Sequence, residues 1–165
     1  LHTVLIISVV GMLVYNGAYF YERFQSIRPL SYISGRVSRD AYIASRLPEY
    51  PLIVYINRQL TPEDVVLVMF LGQRRYYFDR EVILNDGLLK KCLRGDPGPD
   101  LVASRLHRLG ISHLMVRWDL FLSWMQRELN PEERRILDDF WKYKIHKVAE
   151  SGGFYLFAVK NPQAK

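Results

Sequence analysis

Five consecutive residues in the middle of the chain carry an amide, two guanidinium groups and two phenol rings. They follow an uninterrupted apolar run, residues 65–71, and a glycine, Gly72. The side chains are those of Gln73, Arg74, Arg75, Tyr76 and Tyr77. Ligands of open α/β sheets bind at the carboxyl ends of strands, and two arginines can pair with a phosphate group. We therefore predict that residues 73–77 contact a phosphorylated ligand; the alternative is a solvated or domain-packing loop.

The same stretch lacks the glycine pattern of a nucleotide cradle. A dinucleotide fingerprint needs G-x-G-x-x-G after the strand, because each glycine lets backbone or helix approach the pyrophosphate, and a P-loop ends in G-K-S or G-K-T. Here Gly72 is followed by bulky residues, and neither P-loop ending occurs in the chain. The pattern excludes both kinds of phosphate cradle, and the sequence predicts no cofactor.

Residues that catalyse reactions or hold metals are present, but not at the required spacing. The histidines form no H-x-x-x-H pair; they are His2, His107, His113 and His146. Asp138 and Asp139 are adjacent, so their side chains diverge on a helix and predict a solvated face. Cys92 has no identifiable histidine partner, and no G-x-S-x-G elbow occurs. The sequence therefore predicts no catalytic residue and no metal site.

The overall charge narrows the classes of partner. The chain has 165 residues, a formal net charge of +6 and one cysteine, which excludes a disulfide framework. A basic balance fits nucleic acid, an anionic membrane surface or a phosphorylated substrate. The basic residues are dispersed and no helix-turn-helix or RNA-binding signature occurs, so the sequence argues against nucleic acid as a partner. The length suits one domain with an extra element attached.

The amino-terminal stretch, residues 1–21, contains no Asp, Glu, Lys or Arg. A helix of that length spans roughly 30 Å, the thickness of the hydrocarbon core of a bilayer. Aromatic residues gather at its far end, as in an interfacial belt, at Tyr15, Tyr19, Phe20 and Tyr21. We predict a transmembrane helix over residues 1–24, with membrane lipid as the partner of residues 1–21. The alternatives are a signal peptide and a buried or oligomer-forming helix.

The first residue of the chain and the charges after this helix bear on its origin and its orientation in the membrane. The chain begins with Leu1 rather than Met, so we expect a processed protein or a piece of a longer one. Five arginines follow the helix: Arg23, Arg28, Arg36, Arg39 and Arg46. The positive-inside rule would keep such a flank in the cytoplasm, but long domains translocate largely regardless of charge. Charge therefore does not decide the side of the membrane.

Local signals divide the rest of the chain into helices and strands. Pro29 and Gly35 predict a linker over residues 25–37. The predicted helices cover residues 38–47 with Ser38 as N-cap, 52–60, 100–109 before Gly110, 118–129, and a helix that Asn130, Pro131 and Glu133 begin. The predicted strands cover residues 65–71, 81–84 and 111–117, and residues 94–100 form a loop.

These elements predict the fold class. The run over residues 65–71 suits a strand covered on both faces, which belongs to a sheet between helices. Gly152 and Gly153 join two short β runs at the carboxyl end. We predict an α/β domain over residues 38–165: a small three-layer sheet with helices on both faces and a C-terminal β-hairpin, preceded by the amino-terminal helix.

The arrangement resembles the carboxyl-terminal part of large bacterial membrane glycosyltransferases of the GT-C type, the group that includes dolichyl-phosphate-mannose–protein mannosyltransferase-like proteins. The matching phrases are Arg-Asp-x-Tyr at residues 39–42, Tyr-Ile-Asn at 55–57, the apolar run into Gly72 with Tyr76 and Tyr77 after it, and Leu-Gly-Ile at 109–111. The resemblance covers most of the chain.

The resemblance implies a function for the whole protein and a narrower one for this chain. In that family a bundle of membrane helices precedes a soluble domain outside the bacterial inner membrane, and the catalytic carboxylate lies in an early loop. The resemblance therefore implies a periplasmic accessory domain that is non-catalytic by itself and attached to the remainder of a polytopic membrane protein. A polyprenyl-phosphate sugar, an acceptor or a partner protein would be its ligand, with arginine on phosphate and tyrosine stacked on sugar.

Two other classes of function stay open from the sequence. One is a small soluble α/β ligand- or nucleotide-binding protein whose first helix packs internally or in a dimer. The other is a basic nucleic-acid-binding module, whose affinity would fall steeply with salt.

Overall fold

The computed structural model describes residues 2–95 and 98–160. Leu1, residues 96–97 of the predicted loop and residues 161–165 at the end of the predicted domain lie outside the described residues. Contacts between Cα atoms divide the chain into two compact units, residues 1–46 and residues 47–165. The first unit contains α1 (His2–Ile27), α2 (Pro29–Ile33) and α3 (Arg39–Ala44).

The second unit contains the sheet and the remaining helices. Its strands are β1 (Val65–Met69), β2 (Val82–Leu84), β3 (Ile111–Arg117), β4 (Ile145–Ser151) and β5 (Phe154–Val159). Its helices are α4 (Tyr50–Gln59), α5 (Leu88–Leu93), α6 (Pro99–Arg108), α7 (Trp118–Glu128) and α8 (Pro131–Lys144), with a 3₁₀ turn at Arg75–Tyr77.

The first helix, α1, is apolar around its whole circumference. It has 26 residues and none of them is buried. The large apolar side chains between Val4 and Val14 are between 51% and 68% exposed. At 1.5 Å per residue α1 is about 39 Å long, more than the roughly 30 Å of a bilayer's hydrocarbon core. Within residues 2–95 and 98–160, it is the helix with sufficient length and apolar composition to cross a membrane.

The segment predicted as a linker over residues 25–37 is partly helical. Arg28 has a left-handed backbone conformation (φ 47°, ψ 47°), which ends α1. Pro29 then starts the one-turn helix α2, because a proline's fixed φ is compatible with a first helical turn and its missing N–H is not needed there. Gly35, with φ 71°, follows the end of α2. Pro29 and Gly35, from which the linker was predicted, are therefore the start and the stop signal of a short helix.

The sheet has the strand order β2-β1-β3-β5-β4. The strands β2, β1 and β3 are parallel, and β3–β5 and β5–β4 are antiparallel pairs. Gly152 and Gly153 connect β4 to β5 and both have positive φ, as the predicted hairpin requires. A Cβ atom on Gly152 would lie 2.2 Å from Cβ of Pro48, so this position has no room for a side chain.

Helices cover both faces of the sheet, which confirms the predicted α/β class with a C-terminal hairpin. In β1, Leu67 and Met69 belong to a cluster formed with α5, α6, α7 and α8, whereas Val66 and Val68 pack in a second cluster with α4. A strand buried on both faces accounts for the uninterrupted apolar run. The run is longer than the strand, because Phe70 has a left-handed conformation (φ 64°) that ends β1.

Several capping residues predicted from the sequence make the expected hydrogen bonds at the starts of helices. Asn130 accepts a hydrogen bond from the backbone N–H of Glu133 (2.8 Å), and the Glu133 carboxylate accepts one from the N–H of Asn130 (3.0 Å), a complete capping box. Ser38 accepts from the N–H of Ala41 (3.2 Å) and caps α3. Helix α4 begins at Tyr50, two residues before the prediction, and the six-residue helix α5 was not predicted because no capping side chain marks its start.

Candidate functional site

The predicted contact residues lie in the loop that leaves the carboxyl end of β1. Because β2, β1 and β3 run parallel, their carboxyl ends meet at one edge of the sheet. Phe70 turns the chain at this edge, and its backbone N–H donates to Oδ1 of Asp86 (2.8 Å). A left-handed conformation is uncommon outside glycine, and Asp86, which follows β2, provides the acceptor that holds it. The loop therefore leaves the sheet along a defined direction.

Some side chains of residues 73–77 face solvent, and the others are partly buried. Gln73, Arg75 and Tyr76 are exposed, and Tyr76 is 73% exposed. Arg74 and Tyr77 are half-buried. The amide, one guanidinium and one phenol ring are thus presented together to solvent, and the other two predicted residues also contact the scaffold.

Arg74 is bound to a buried acid. Its Nη1 donates to Oε1 of Glu49, a residue that is only 2% exposed and lies directly before α4. The amino terminus of a helix favours a carboxylate, and a buried carboxylate needs a charged or hydrogen-bonding partner. The Arg74 side chain keeps 43% of its surface exposed, so it can still present its other guanidinium nitrogen atoms to a ligand.

Asn57 fixes the far side of the loop. Its Nδ2 donates to the carbonyl of Tyr77 (2.9 Å) and to Oδ2 of Asp79 (3.1 Å), and its Oδ1 accepts from the Asp79 N–H (3.1 Å). The ring of Tyr77 packs edge-on against Tyr50, with 5.4 Å between centroids. Both partners come from α4, so α4 acts as the support of the loop.

Arg80 connects the end of the loop to the residues that follow α4. Its guanidinium donates to the carbonyls of Thr61 (2.7 Å) and Leu60 (2.8 Å). A helix leaves its last carbonyls without partners, and a cation there is favourable. Sequence spacing did not reveal Glu49, Asn57 or Arg80 as supports, because each lies about twenty residues from its partner and shows no motif.

A small cavity lies beside the loop at the same edge of the sheet. Its volume is about 130 Å³, and its lining residues are Val68, Leu71, Gly72, Gln73, Leu84, Asn85 and Asp86. Pockets that enclose whole ligands measure roughly 300–1,000 Å³. This cavity can therefore receive one polar edge of a larger ligand, for which its two amides and its carboxylate offer hydrogen bonds.

The exposed groups and the cavity together suit a ligand with a phosphate and hydroxyl groups. The guanidinium of Arg75 can pair with phosphate oxygens, the ring of Tyr76 can lie against an apolar sugar face, and Gln73 lines the cavity. Among the described residues there is no group of three or more His, Cys, Asp or Glu that could hold a metal ion. A binding role for residues 73–77 stays a prediction.

A second polar cluster lies at the opposite edge of the sheet, where β1 and β3 begin. Ser112 Oγ donates to Oδ1 of Asp64 (2.8 Å) and lies 2.9 Å from Nδ1 of His113. Burial lowers the pKa of His113, although Asp64 nearby opposes the effect. Burial acts to raise the pKa of Asp64, but hydrogen bonds from Ser112 and Thr61 outweigh it, so that this pKa is lowered. The sequence did not predict this cluster.

The single cysteine is buried in α5. Burial raises the pKa of the Cys92 thiol, and the charge of Arg105 only partly offsets this. A raised pKa disfavours the thiolate, the nucleophilic form. Cys92 is accordingly a core residue.

Comparison with known proteins gives one structural neighbour to report. No protein-family model matches the sequence, and no curated protein matches it either. The C-terminal globular domain of an oligosaccharyltransferase from Archaeoglobus fulgidus is similar in structure, with 14% identity and a TM-score of 0.47. The match covers 69% of this chain and 97% of that domain. A likeness at this level establishes neither a shared family nor a shared activity.

Proposed function

We propose that the chain is a membrane-anchored accessory domain of a larger, glycosyltransferase-like protein. In this proposal α1 anchors the chain in the bacterial inner membrane, and the α/β unit lies on the periplasmic side. Residues 73–77 contact the phosphate and sugar of a polyprenyl-phosphate donor and carry out no reaction themselves. The remainder of a polytopic membrane protein supplies the catalytic carboxylate.

One observation carries the anchoring part of the proposal. Helix α1 is 26 residues long, apolar on every side and without a buried residue. A helix that is apolar all round needs an apolar environment, either a protein core or a bilayer. Burying each large aliphatic side chain is worth about 1.5–3 kcal/mol, so exposure of the whole helix to water is strongly unfavourable. The sequence resemblance supports the further assignment to a glycosyltransferase.

Deletion of residues 1–27 tests the anchor. The full chain should stay in the membrane fraction through an alkaline carbonate wash, and the shortened chain should be recovered in solution with an unchanged melting temperature of its tryptophan signal. In the full chain, Val10→Arg should impair insertion, at a cost of about 3 kcal/mol, whereas Val10→Leu should not. If the shortened chain aggregates or loses its cooperative melting, α1 is a core element and the anchor proposal fails.

Crosslinking tests the donor contact. A photoreactive polyprenyl monophosphate should label the full chain in detergent, and Arg75→Gln/Tyr76→Ala should lower labelling about tenfold, because a hydrogen bond to a charged group and a stacked ring are lost. The matched control, Arg108→Gln/Tyr143→Ala, removes an exposed arginine and an exposed tyrosine from α6 and α8. Equal labelling of the two variants would contradict a contact at residues 73–77.

The cavity favours a second candidate, a ligand-binding α/β domain without a role in sugar transfer. Its position at the carboxyl ends of β1 and β2 is where open α/β sheets bind small molecules. A water-soluble sugar phosphate separates the candidates. If it competes fully with the polyprenyl probe at equal concentration, the lipid tail contributes nothing and the second candidate is favoured.

A further inference from the structure

The segment that follows α1 is a folded structure attached to the end of that helix. We name residues 28–46 the collar. The hydroxyl of Tyr42 donates to the carbonyl of Ile27 (2.9 Å), and Arg46 donates to the carbonyl of Ser26. The rings of Tyr32 and Tyr42 stack with 5.3 Å between centroids, which joins α2 to α3. Two of the carbonyls that a helix leaves unpaired at its carboxyl end thus find donors in the collar.

The collar presents apolar side chains that no part of its own unit buries. Leu30 is 62% exposed and Ile33 is 74% exposed. They are three residues apart, so they lie on the same side of α2. Single exposed apolar residues are ordinary on protein surfaces, but this pair begins three residues beyond the end of an apolar helix with no buried side chain. The surface of α1 that requires lipid is therefore followed directly by a second apolar face.

The collar also holds a large share of the positive charge of the chain. Its four arginines and one acid, Asp40, give a net charge of +3, half of the +6 of all 165 residues. It contains no lysine. Arg28, Arg36, Arg39 and Arg46 are all exposed. Arginine presents a planar fork that matches phosphate oxygens, and basic residues next to a membrane span are attracted to anionic lipids.

We propose that the collar lies on the membrane surface around the end of α1, with Leu30 and Ile33 among the upper acyl chains and the arginines on the phosphates of anionic phospholipids. This proposal rests on the anchoring of α1 proposed above. Charge complementarity and the direct continuation of α1 identify the occupant of this surface as the bilayer that holds α1. The collar would then set where α1 stops in the membrane.

Hydrogen exchange of the full chain in nanodiscs tests the collar separately from the anchor. We compare phosphatidylcholine alone with phosphatidylcholine containing about one third phosphatidylglycerol. Amides of residues 28–40 should exchange about tenfold more slowly in the anionic discs, and 0.5 M salt should remove most of this difference, because the Debye length falls to a few ångströms. Amides of α4 serve as an internal reference that should not respond to the lipid.

Two double variants separate the apolar and the charged contributions. Leu30→Ser/Ile33→Ser should abolish the slow exchange in anionic discs, and its control is Leu101→Ser/Leu109→Ser, whose leucines are 41% and 49% exposed in the other unit. Arg36→Gln/Arg39→Gln should remove most of the lipid dependence, since each basic residue near an anionic surface contributes about fivefold. Its control, Lys91→Gln/Arg108→Gln, removes the same charge from exposed positions outside the collar.

The outcomes distinguish the two proposals. Carbonate-resistant anchoring of the full chain together with exchange in the collar that is the same in both kinds of disc would overturn the collar proposal and leave the anchor intact. A chain that carbonate extracts from vesicles would overturn the anchor and the collar with it. Equal effects of the collar variants and of their controls would also overturn the collar proposal.

Discussion

The two units of this chain use the same apolar residue types in opposite ways. In α1, the valine, leucine and isoleucine residues from Val4 to Val14 are more than half exposed, and no residue is buried. In residues 47–160, the same residue types fill two clusters on the two faces of the sheet. Apolar composition alone therefore does not produce a core. A helix contributes to a core where its apolar positions recur on one face at the helical period, so that the opposite face can remain in water.

Helix α8 shows this rule by contrast with α1. Its residues Ile136, Leu137 and Phe140 are buried, and charged residues occupy its other side. Helix α1 has apolar residues in every direction and first meets a charge at Glu22. An amphipathic helix has a single buried side, whereas an apolar helix has to be surrounded.

Truncation of one phenylalanine in each unit should give the largest difference in the free energy of unfolding. Phe140 is fully buried and Phe20 is 70% exposed. We expect Phe140→Ala to lower the free energy of unfolding of residues 47–165 by about 3–5 kcal/mol, because it leaves a cavity in the core. Phe20→Ala should change it by less than about 0.5 kcal/mol. Urea unfolding of the full chain in detergent, followed by the fluorescence of tryptophans that all lie in the second unit, measures both. Similar losses of unfolding free energy in the two variants would contradict this difference between the units.

Within the loop, Arg74 and Arg75 should differ strongly in their effect on stability. Arg74→Ala leaves the buried Glu49 without its charged partner and should cost about 1–3 kcal/mol. Arg75→Ala, at an exposed position, should cost less than about 0.5 kcal/mol. Glu49→Gln combined with Arg74→Ala should recover part of the loss, since no unpaired charge then remains. Equal melting temperatures of the two single variants would show that Glu49 does not depend on Arg74.

The helix caps offer a smaller test of whether the units unfold separately. Asn130→Ala removes the side chain that accepts from the Glu133 N–H and should lower the stability of the second unit by about 1 kcal/mol. Ser38→Ala removes the cap of α3 in the first unit and should leave the tryptophan-detected unfolding unchanged. A loss of the same size from Ser38→Ala would mean that the two units share one transition.

The pH dependence should be the smallest effect and confined to the second unit. Burial lowers the pKa of His113 below its ordinary value of 6.5. The unfolded chain therefore binds more protons than the folded chain once the pH falls below about 6.5, and stability decreases from there down to the folded pKa. The lowered pKa of Asp64 adds a further loss below 3.8, its ordinary value. His113→Gln should flatten the first decrease in urea unfolding measured between pH 7.5 and 5.5, whereas His2→Gln should not.

Local signals were sufficient for most of the secondary structure. The capping residues around Asn130, the glycine after α6 and the glycine pair before β5 act over three or four residues, and each predicted element is present. The same signals misplaced the start of α4 and missed α5, whose six residues carry no side-chain cap. They also described residues 25–37 as a linker, where Pro29 begins a helical turn.

The position of the loop over residues 73–77 was predictable from the sequence, but the arrangement of its side chains was not. Residues 73–77 do lie at the carboxyl end of β1, as an apolar run followed by a glycine indicates. Which of them face solvent depends on Glu49 and Asn57, whose positions in space come from α4 packing on the sheet. No short-range pattern encodes that contact.

The amino-acid sequence determined, without further information, that the chain has an apolar helix without charged residues up to Tyr21 and an α/β unit ending in a hairpin, because periodicity, capping and turn propensity are local properties. Tertiary structure alone decided the strand order β2-β1-β3-β5-β4, the division of the loop into supported and exposed side chains, and the attachment of the collar to α1. These depend on contacts between residues far apart in the chain, whose free energies are realised only when whole faces of helices and strands pack together.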